Sequence, residues 1–284
     1  MQASDPLLDF ASNILLDFDE HFEIVDIKST PHHEVIKAET ESSGPVCLKI
    51  CSRVFTTSPK RSSKGFPTDE IEAFRLVKGV PWAPTLLACA DDYSWMIRKW
   101  VGDATIDKLP PEHWTRERLK SLWSLIAQVF EFFHAMDPPV LLRDTKPQNI
   151  SFDDHGFYFI DLNAAKPIEK ARRSSRRPRT GTNRSLFWGP EAVQGNIEAV
   201  SVRSDYFSFA TVIYFLLTRK FPWSNGKSDL EESHRQYAIE YAEATEAFEA
   251  VLRERGFSPM DRSFLQSCMH PNPDLRPERL RLPY

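Results

Sequence analysis

Three groups of residues in this 284-residue chain have the side chains needed to move a phosphoryl group. Asp144, Lys146 and Asn149 stand in one short stretch, Leu142-Arg143-Asp144-Thr145-Lys146-Pro147-Gln148-Asn149. A carboxylate there accepts or orients an attacking hydroxyl, a nearby ammonium neutralises the charge of the moving phosphoryl, and an amide oxygen holds a metal. Asp161 closes the hydrophobic stretch Phe159-Ile160 and is placed to bind a Mg²⁺ that bridges phosphates. Lys49 interrupts the apolar run Val46-Cys47-Leu48-Lys49-Ile50, and a lysine in such a strand is costly unless paired. Glu72, on the helix expected next, is its natural partner, with Lys49 bridging to phosphates.

The elements that must position these groups are read from hydrophobic periodicity. Residues 1–21 place Leu7, Leu8, Phe10, Ile14, Leu15 and Phe18 at helical spacing. They read as an N-terminal helical extension packed on the domain behind it, with an autoinhibitory or partner-binding helix as the sharper reading. From residue 22 the pattern shifts towards alternation, predicting strands over 22–27, 34–38 and 46–51. A polar, basic, Ser-rich loop covers 56–64, and Thr68-Asp69-Glu70 caps a helix running to about Val77. Strands over 85–89 and 94–101 complete this part. After Gly102 the chain turns helical, with a long amphipathic segment over 114–136, short strands near Ile150 and over 157–160, and helices from Asp205 onwards. The expected fold is α+β, with a strand-rich part at 22–102, a helical part at 103–284, and a ligand held where the two meet.

Together these residues resemble the protein-kinase signature set. Lys49 matches the family's strand lysine and Glu72 its helix glutamate. Asp144, Lys146 and Asn149 match the catalytic loop, and Asp161 the metal-binding aspartate. Gly189-Pro190-Glu191 resembles the Ala-Pro-Glu that closes the activation segment. Asp205 resembles the anchoring aspartate, and Arg276 the late arginine that pairs with Glu191. The resemblance runs from about residue 22 to Arg276. It implies a bilobal fold, with a small β-rich N-lobe and a larger α-helical C-lobe. It also implies ATP with Mg²⁺ or Mn²⁺, catalysis by Asp144 and Lys146, and metal ligation by Asn149 and Asp161. Lys49 and Glu72 would serve the phosphates, backbone groups near Lys99 and Val101 would hold the adenine, and the substrate would be a protein. A lysine two positions after the catalytic aspartate looks like the serine/threonine class.

The chain also departs from the family. The turn Lys28-Ser29-Thr30-Pro31-His32-His33-Glu34-Val35 contains no glycine, where the family's glycines let backbone N–H groups approach phosphates. Asp161-Leu162-Asn163 replaces Asp-Phe-Gly, and Asn tolerates positive φ better than most residues. Leu142 stands where the family has His and is expected to form an apolar stack with Leu76 and Leu162. Ser151 stands where a Leu usually lies beneath adenine, and Arg98 falls at the back of the nucleotide pocket, where it could pair with Glu72 in competition with Lys49. The basic segment 166–184 reads as a solvated or disordered loop, as a switch in which phosphate on Ser174, Ser175, Thr180 or Thr182 pairs with Arg143, or as a docking site for an acidic partner.

Composition narrows the classes. Lys and Arg number 36 against 40 Asp and Glu, a net charge of −4, which argues against a general nucleic-acid or membrane-surface binder. No apolar run approaches the ~18 residues of a spanning helix. Four cysteines without C-x-x-C spacing, and no secretory signal, read as reduced buried thiols of a cytosolic or nuclear protein. Nothing in the sequence sets the oligomeric state. Two other functions remain open: a pseudokinase scaffold, suggested by the missing glycines, and a small-molecule phosphotransferase, against which Gly189-Pro190-Glu191 with Arg276 counts.

Overall fold

A computed structural model describes residues 5–30, 33–51, 68–175, 186–223 and 230–284. The chain forms two compact units, residues 1–101 with 159–163, and residues 102–158 with 164–284. Lys49 and Asp161 therefore belong to the first unit, and Asp144, Lys146 and Asn149 to the second.

The first unit opens with helix α1 (Pro6–Phe18). Pro6 presets its first turn, and the Asp5 carboxylate accepts from the Leu7 amide at 2.9 Å. Strands β1 (Phe22–Ser29), β2 (His33–Thr40) and β3 (Gly44–Cys51), helix α2 (Thr68–Leu76), and strands β4 (Leu86–Cys89) and β5 (Trp95–Lys99) come next. The strands make one antiparallel sheet in the order β1-β2-β3-β5-β4. Alternation along β3 sends Val46, Leu48 and Ile50 to one face, where they are buried with Ile36, Ala38 and Ile97 and with Ala11, Ile14 and Leu15 of α1. Helix α1 thus roofs this face of the sheet. Just beyond it the Asp19 carboxylate accepts from the Ser42 amide at 2.8 Å and the Ser42 hydroxyl at 2.6 Å, tying the helix end to the β2–β3 turn. The glycine-free β1–β2 turn is closed by Thr30, whose amide and hydroxyl donate to the His33 carbonyl at 2.8 and 2.7 Å. Pro31 and His32 lie outside the described residues.

The second unit holds β6 (Ala104–Thr105), α3 (Arg116–His134), β7 (Val140–Leu141), β8 (Ile150–Asp153), β9 (Gly156–Phe159, its last residue in the first unit) and β10 (Lys166–Pro167). Helices α4 (Ile168–Ser175), α5 (Pro190–Val193), α6 (Val202–Thr218), α7 (Leu230–Ile239), α8 (Tyr241–Glu254) and α9 (Pro259–Cys268) complete it. Helix α3 buries Leu119, Leu122, Trp123, Ile126, Phe130 and Phe133 on one stripe, while α6 is apolar nearly all round and buried accordingly. Gly102, at φ +75°, marks a close approach: a Cβ there would stand 2.7 Å from the Ser151 Cβ. Among the described residues no helix is long and apolar enough to cross a membrane.

One expectation fails in this unit. Residues 168–175 are not a solvated loop but helix α4. Ile168 and Ala171, three residues apart, share a face that packs with Leu141 and Val200, and the Arg172 Nε donates to the Val200 carbonyl at 3.1 Å. The helix thus covers its apolar side while it carries arginines. Thr180 and Thr182 lie outside the described residues, as do the side chains of Ser174 and Ser175.

Candidate active site

In the second unit the loop after β7 gathers three polar groups. Lys146 Nζ lies 2.6 Å from Asp144 Oδ2. The Asn149 Nδ2 donates to the Asp144 carbonyl at 2.8 Å and to Asp144 Oδ2 at 3.1 Å. This use of Asn149's nitrogen leaves its Oδ1 as the oxygen to offer a metal. The loop is held from beneath by Asp205, which opens the capped helix α6. Its two oxygens accept from the Leu142 and Arg143 amides at 2.9 and 2.8 Å, and His134 Nε2 stands 2.9 Å from Oδ2. That double tie fixes Arg143 at φ 64°, a conformation costly for a side chain other than glycine. The Arg143 guanidinium lies over the Trp188 ring at 5.6 Å. His134 was not legible as a site residue: its only sequence cue is that it ends the long amphipathic helix.

In the first unit Lys49 is buried and lies 2.8 Å from both oxygens of Glu70 and 3.4 Å from Asp161 Oδ2. Asp161 Oδ1 accepts from the Asn163 amide at 2.9 Å. Asn163 does not use its tolerance for positive φ: among the described non-glycine residues only Tyr93, Arg143 and Arg219 are left-handed. Burial works against the Lys49 charge, but Asp161 and Glu70 outweigh it and hold the ammonium above its ordinary value. Burial pushes the Glu70 carboxyl up to about 7, against the pull of Lys49. The two shifts favour opposite outcomes, a firmer ammonium and a weaker carboxylate. Both follow from one ammonium shared by two carboxylates, and the firmly charged lysine is the direction the geometry supports.

The partner of Lys49 is therefore Glu70, not Glu72. The same two-residue offset removes Leu76 from the expected apolar stack. Helix α2 turns Glu70, Ala73, Phe74 and Val77 inward, at the i, i+3, i+4 and i+7 positions of one face. Glu72 lies on the opposite side with its side chain 49% exposed, paired with Arg75 at 2.9 Å and accepting from the Tyr93 hydroxyl at 3.0 Å. Leu76 is 55% exposed. Helical phase counted from Phe74 and Val77 would have named Glu70. Arg98 does not pair with Glu72 either. Its Nη1 donates to the Lys99 carbonyl at 3.3 Å, and its guanidinium carbon stands 6.0 Å from the Phe74 ring. At the expected adenine site the Lys99 amide is engaged, donating to the Thr85 carbonyl at 2.9 Å, and the Lys99 carbonyl, which accepts the long Arg98 bond, has room for a second donor. Val101 comes two residues later, at the end of the unit's main segment.

A second buried ion pair stands in the second unit. Arg276 donates to both Glu191 oxygens at 2.8 Å, and each side chain is almost wholly enclosed. Burial would raise the Glu191 carboxyl, but the charge and hydrogen bonds of Arg276 hold it below its ordinary value. Gly189 is needed here, because a Cβ would come within 2.7 Å of the Glu191 carboxylate oxygens. His234 of α7 is buried nearby, its ring 4.4 Å from that of Trp223, and neither ring nitrogen has a partner among the described residues. Burial drives its pKa from 6.5 down to about 4. Because the folded value is depressed, the unfolded chain takes up the proton first. Stability is unaffected above pH 6.5 and is lost as pH falls towards 4, by about 3 kcal/mol in all. His234→Phe should flatten that part of the stability curve, measured as urea midpoints across the interval.

The protein kinase domain family model matches residues 72–281, which include Asp144, Asn149, Asp161, Glu191, Asp205 and Arg276, while Lys49 and Glu70 precede the match. Receptor-interacting serine/threonine-protein kinase 2 of Bos taurus is 28% identical over 163 residues, covering 55% of this chain and 29% of that protein. Receptor-interacting serine/threonine-protein kinase 4 of Homo sapiens is 31% identical over 149 residues, 51% of this chain and 17% of that protein. Ankyrin repeat and protein kinase domain-containing protein 1 of Mus musculus is 27% identical over 138 residues, 45% and 18% respectively. The matched stretch thus spans less than a third of each of these relatives. With a family match over most of its length, and with the fold's strand-rich and helical parts in the expected order, the chain belongs to the protein kinase family.

Proposed function

We propose that the protein transfers the γ-phosphoryl of ATP to a serine or threonine hydroxyl of a protein substrate. The observation that carries this reading is the Asp144 carboxylate held between Lys146 and Asn149 on a loop fixed by Asp205. Asp144 accepts or orients the substrate hydroxyl, and Lys146 balances the charge that develops on the phosphoryl. In the first unit Lys49, seated by Glu70, binds phosphate oxygens. Lys146, two residues after Asp144, supports the aliphatic-hydroxyl class, as do relatives named serine/threonine-protein kinases.

The donor set suits Mg²⁺ or Mn²⁺. Asn149 Oδ1 and the Asp161 carboxylate are hard oxygens, and no three His, Cys, Asp or Glu side chains cluster as a metal cage among the described residues. Asp161 offers its oxygen within the first unit and Asn149 within the second, and a divalent ion taken up by either, completed by water and phosphate oxygens, would neutralise phosphate charge. A second reading, a scaffold without turnover, is favoured by the glycine-free turn at Thr30 and by Arg98 standing on the Lys99 carbonyl.

Titration with ATP and Mg²⁺ or Mn²⁺ should raise the melting temperature, because a ligand at ~100 times its Kd adds about 2.7 kcal/mol to the folded state. Labelled phosphate should then pass from ATP to a basic acceptor peptide. A shift without transfer favours the scaffold; no shift and no transfer with either metal overturns the phosphotransfer reading.

A further inference from the structure

A buried guanidinium is costly unless acceptors meet its donors. Arg98 is 7% exposed, yet its Nε has no hydrogen-bond partner among the described residues, and its Nη1 bond to the Lys99 carbonyl is long at 3.3 Å. Arg98 stands opposite Cys47 in the β3–β5 ladder, so its side chain leaves the sheet on the face that carries Cys47 and Lys49. The Lys99 amide is spent on Thr85 and the Trp100 amide on Pro45, at 2.9 and 3.0 Å. The end of β5 therefore carries a cationic donor, Arg98, on a backbone acceptor, the Lys99 carbonyl, through one long bond that leaves the carbonyl able to accept a second donor.

We infer that Arg98 sets the base preference of the nucleotide site, favouring a 6-oxopurine nucleoside triphosphate over a 6-aminopurine one. The inference rests on the phosphotransfer reading, together with the expectation that the purine edge meets the backbone near Lys99. A 6-oxopurine carries an acceptor, O6, beside a donor, the N1–H, and so complements the Arg98 donor and the Lys99 acceptor in order. Adenine reverses that order. Its 6-amino group brings N–H bonds against the guanidinium, or, shifted by one group, takes the Lys99 carbonyl and leaves the guanidinium unmet. In a site of low dielectric the first arrangement sets donor against donor and the second adds no bond to the guanidinium, whereas the 6-oxopurine adds one.

Calorimetric titration of the full chain with ATP, GTP and ITP, each with Mg²⁺, isolates the base, since the triphosphate is common to all three. ITP shares O6 and N1–H with GTP but lacks the 2-amino group. The expected result is binding of ITP and GTP about 10-fold or more tighter than ATP, the scale of one hydrogen bond to a charged group. In Arg98→Met the preference should vanish or reverse. Equal or tighter binding of ATP by the wild-type chain overturns this inference and leaves the phosphotransfer reading standing. So does an oxopurine preference that survives in Arg98→Met. If that variant does not fold, the wild-type ranking decides alone. Failure of all three triphosphates to bind removes both readings together.

Discussion

Asp144→Asn should lower the rate of phosphoryl transfer by about 10²–10⁴-fold, the range attributable to one positioned general base. The substitution is nearly isosteric and removes only the negative charge. The Asn149 bond to the residue-144 backbone carbonyl, at 2.8 Å, does not involve the side chain. The amides of Leu142 and Arg143 remain tied to Asp205, so the loop keeps its course. What is lost is the carboxylate able to take the proton of the substrate hydroxyl, and the counter-charge of Lys146, 2.6 Å away. The effect should therefore fall on kcat, with the melting temperature and the nucleotide-induced shift close to those of the wild type. Transfer to a peptide acceptor at saturating nucleotide measures it. Wild-type turnover in Asp144→Asn would remove Asp144 from the chemistry.

The difference between that residue and Lys49's partner shows what sequence reading resolves. Asp144, Lys146 and Asn149 lie within one loop, so their spacing alone brings them within hydrogen-bond reach. The partner of Lys49 depends instead on the phase of α2, which begins only at Thr68 after residues outside the described part. Choosing Glu72 over Glu70 puts the carboxylate about 200° round the helix, on the face of Arg75. The inward burial of Phe74 and Val77 carries the correction, and those residues were readable. Helix α4 was obscured differently, because arginines and lysines outnumber the two small apolar positions, Ile168 and Ala171, that seat it. Strand alternation gives the face from which Arg98 leaves β5, but no spacing rule predicts where a long flexible side chain finds its acceptor. Asp205 was readable as an anchor. Its contacts to two backbone amides and His134 depend on tertiary approach and were not.

Arg276→Met should cost about 3–5 kcal/mol of unfolding free energy, the penalty for stranding one member of a buried ion pair. Glu191 is 3% exposed and would be left without its bidentate cation. The same guanidinium also donates to the carbonyls of His270, Arg203 and Pro271 at 2.7, 3.1 and 3.2 Å, and it stacks over Phe207 at 4.7 Å. Methionine can refill part of the apolar contact but none of the hydrogen bonds. The loss should depend on pH with a defined sign. Arg276 holds the Glu191 pKa below its ordinary 4.5, so the pair's contribution is present above that value and fades as the pH falls through the folded one. In the variant, burial without the cation lets Glu191 take a proton more readily, and the deficit should shrink towards pH 4. Adding Glu191→Gln to Arg276→Met removes the stranded charge, so the double variant should lose less than the two single variants summed. Urea unfolding of all four proteins at pH 7, and of the first pair at pH 4, measures these terms. Strict additivity, or a deficit under about 1 kcal/mol at pH 7, would show that the pair is not what holds α5 to the end of the chain.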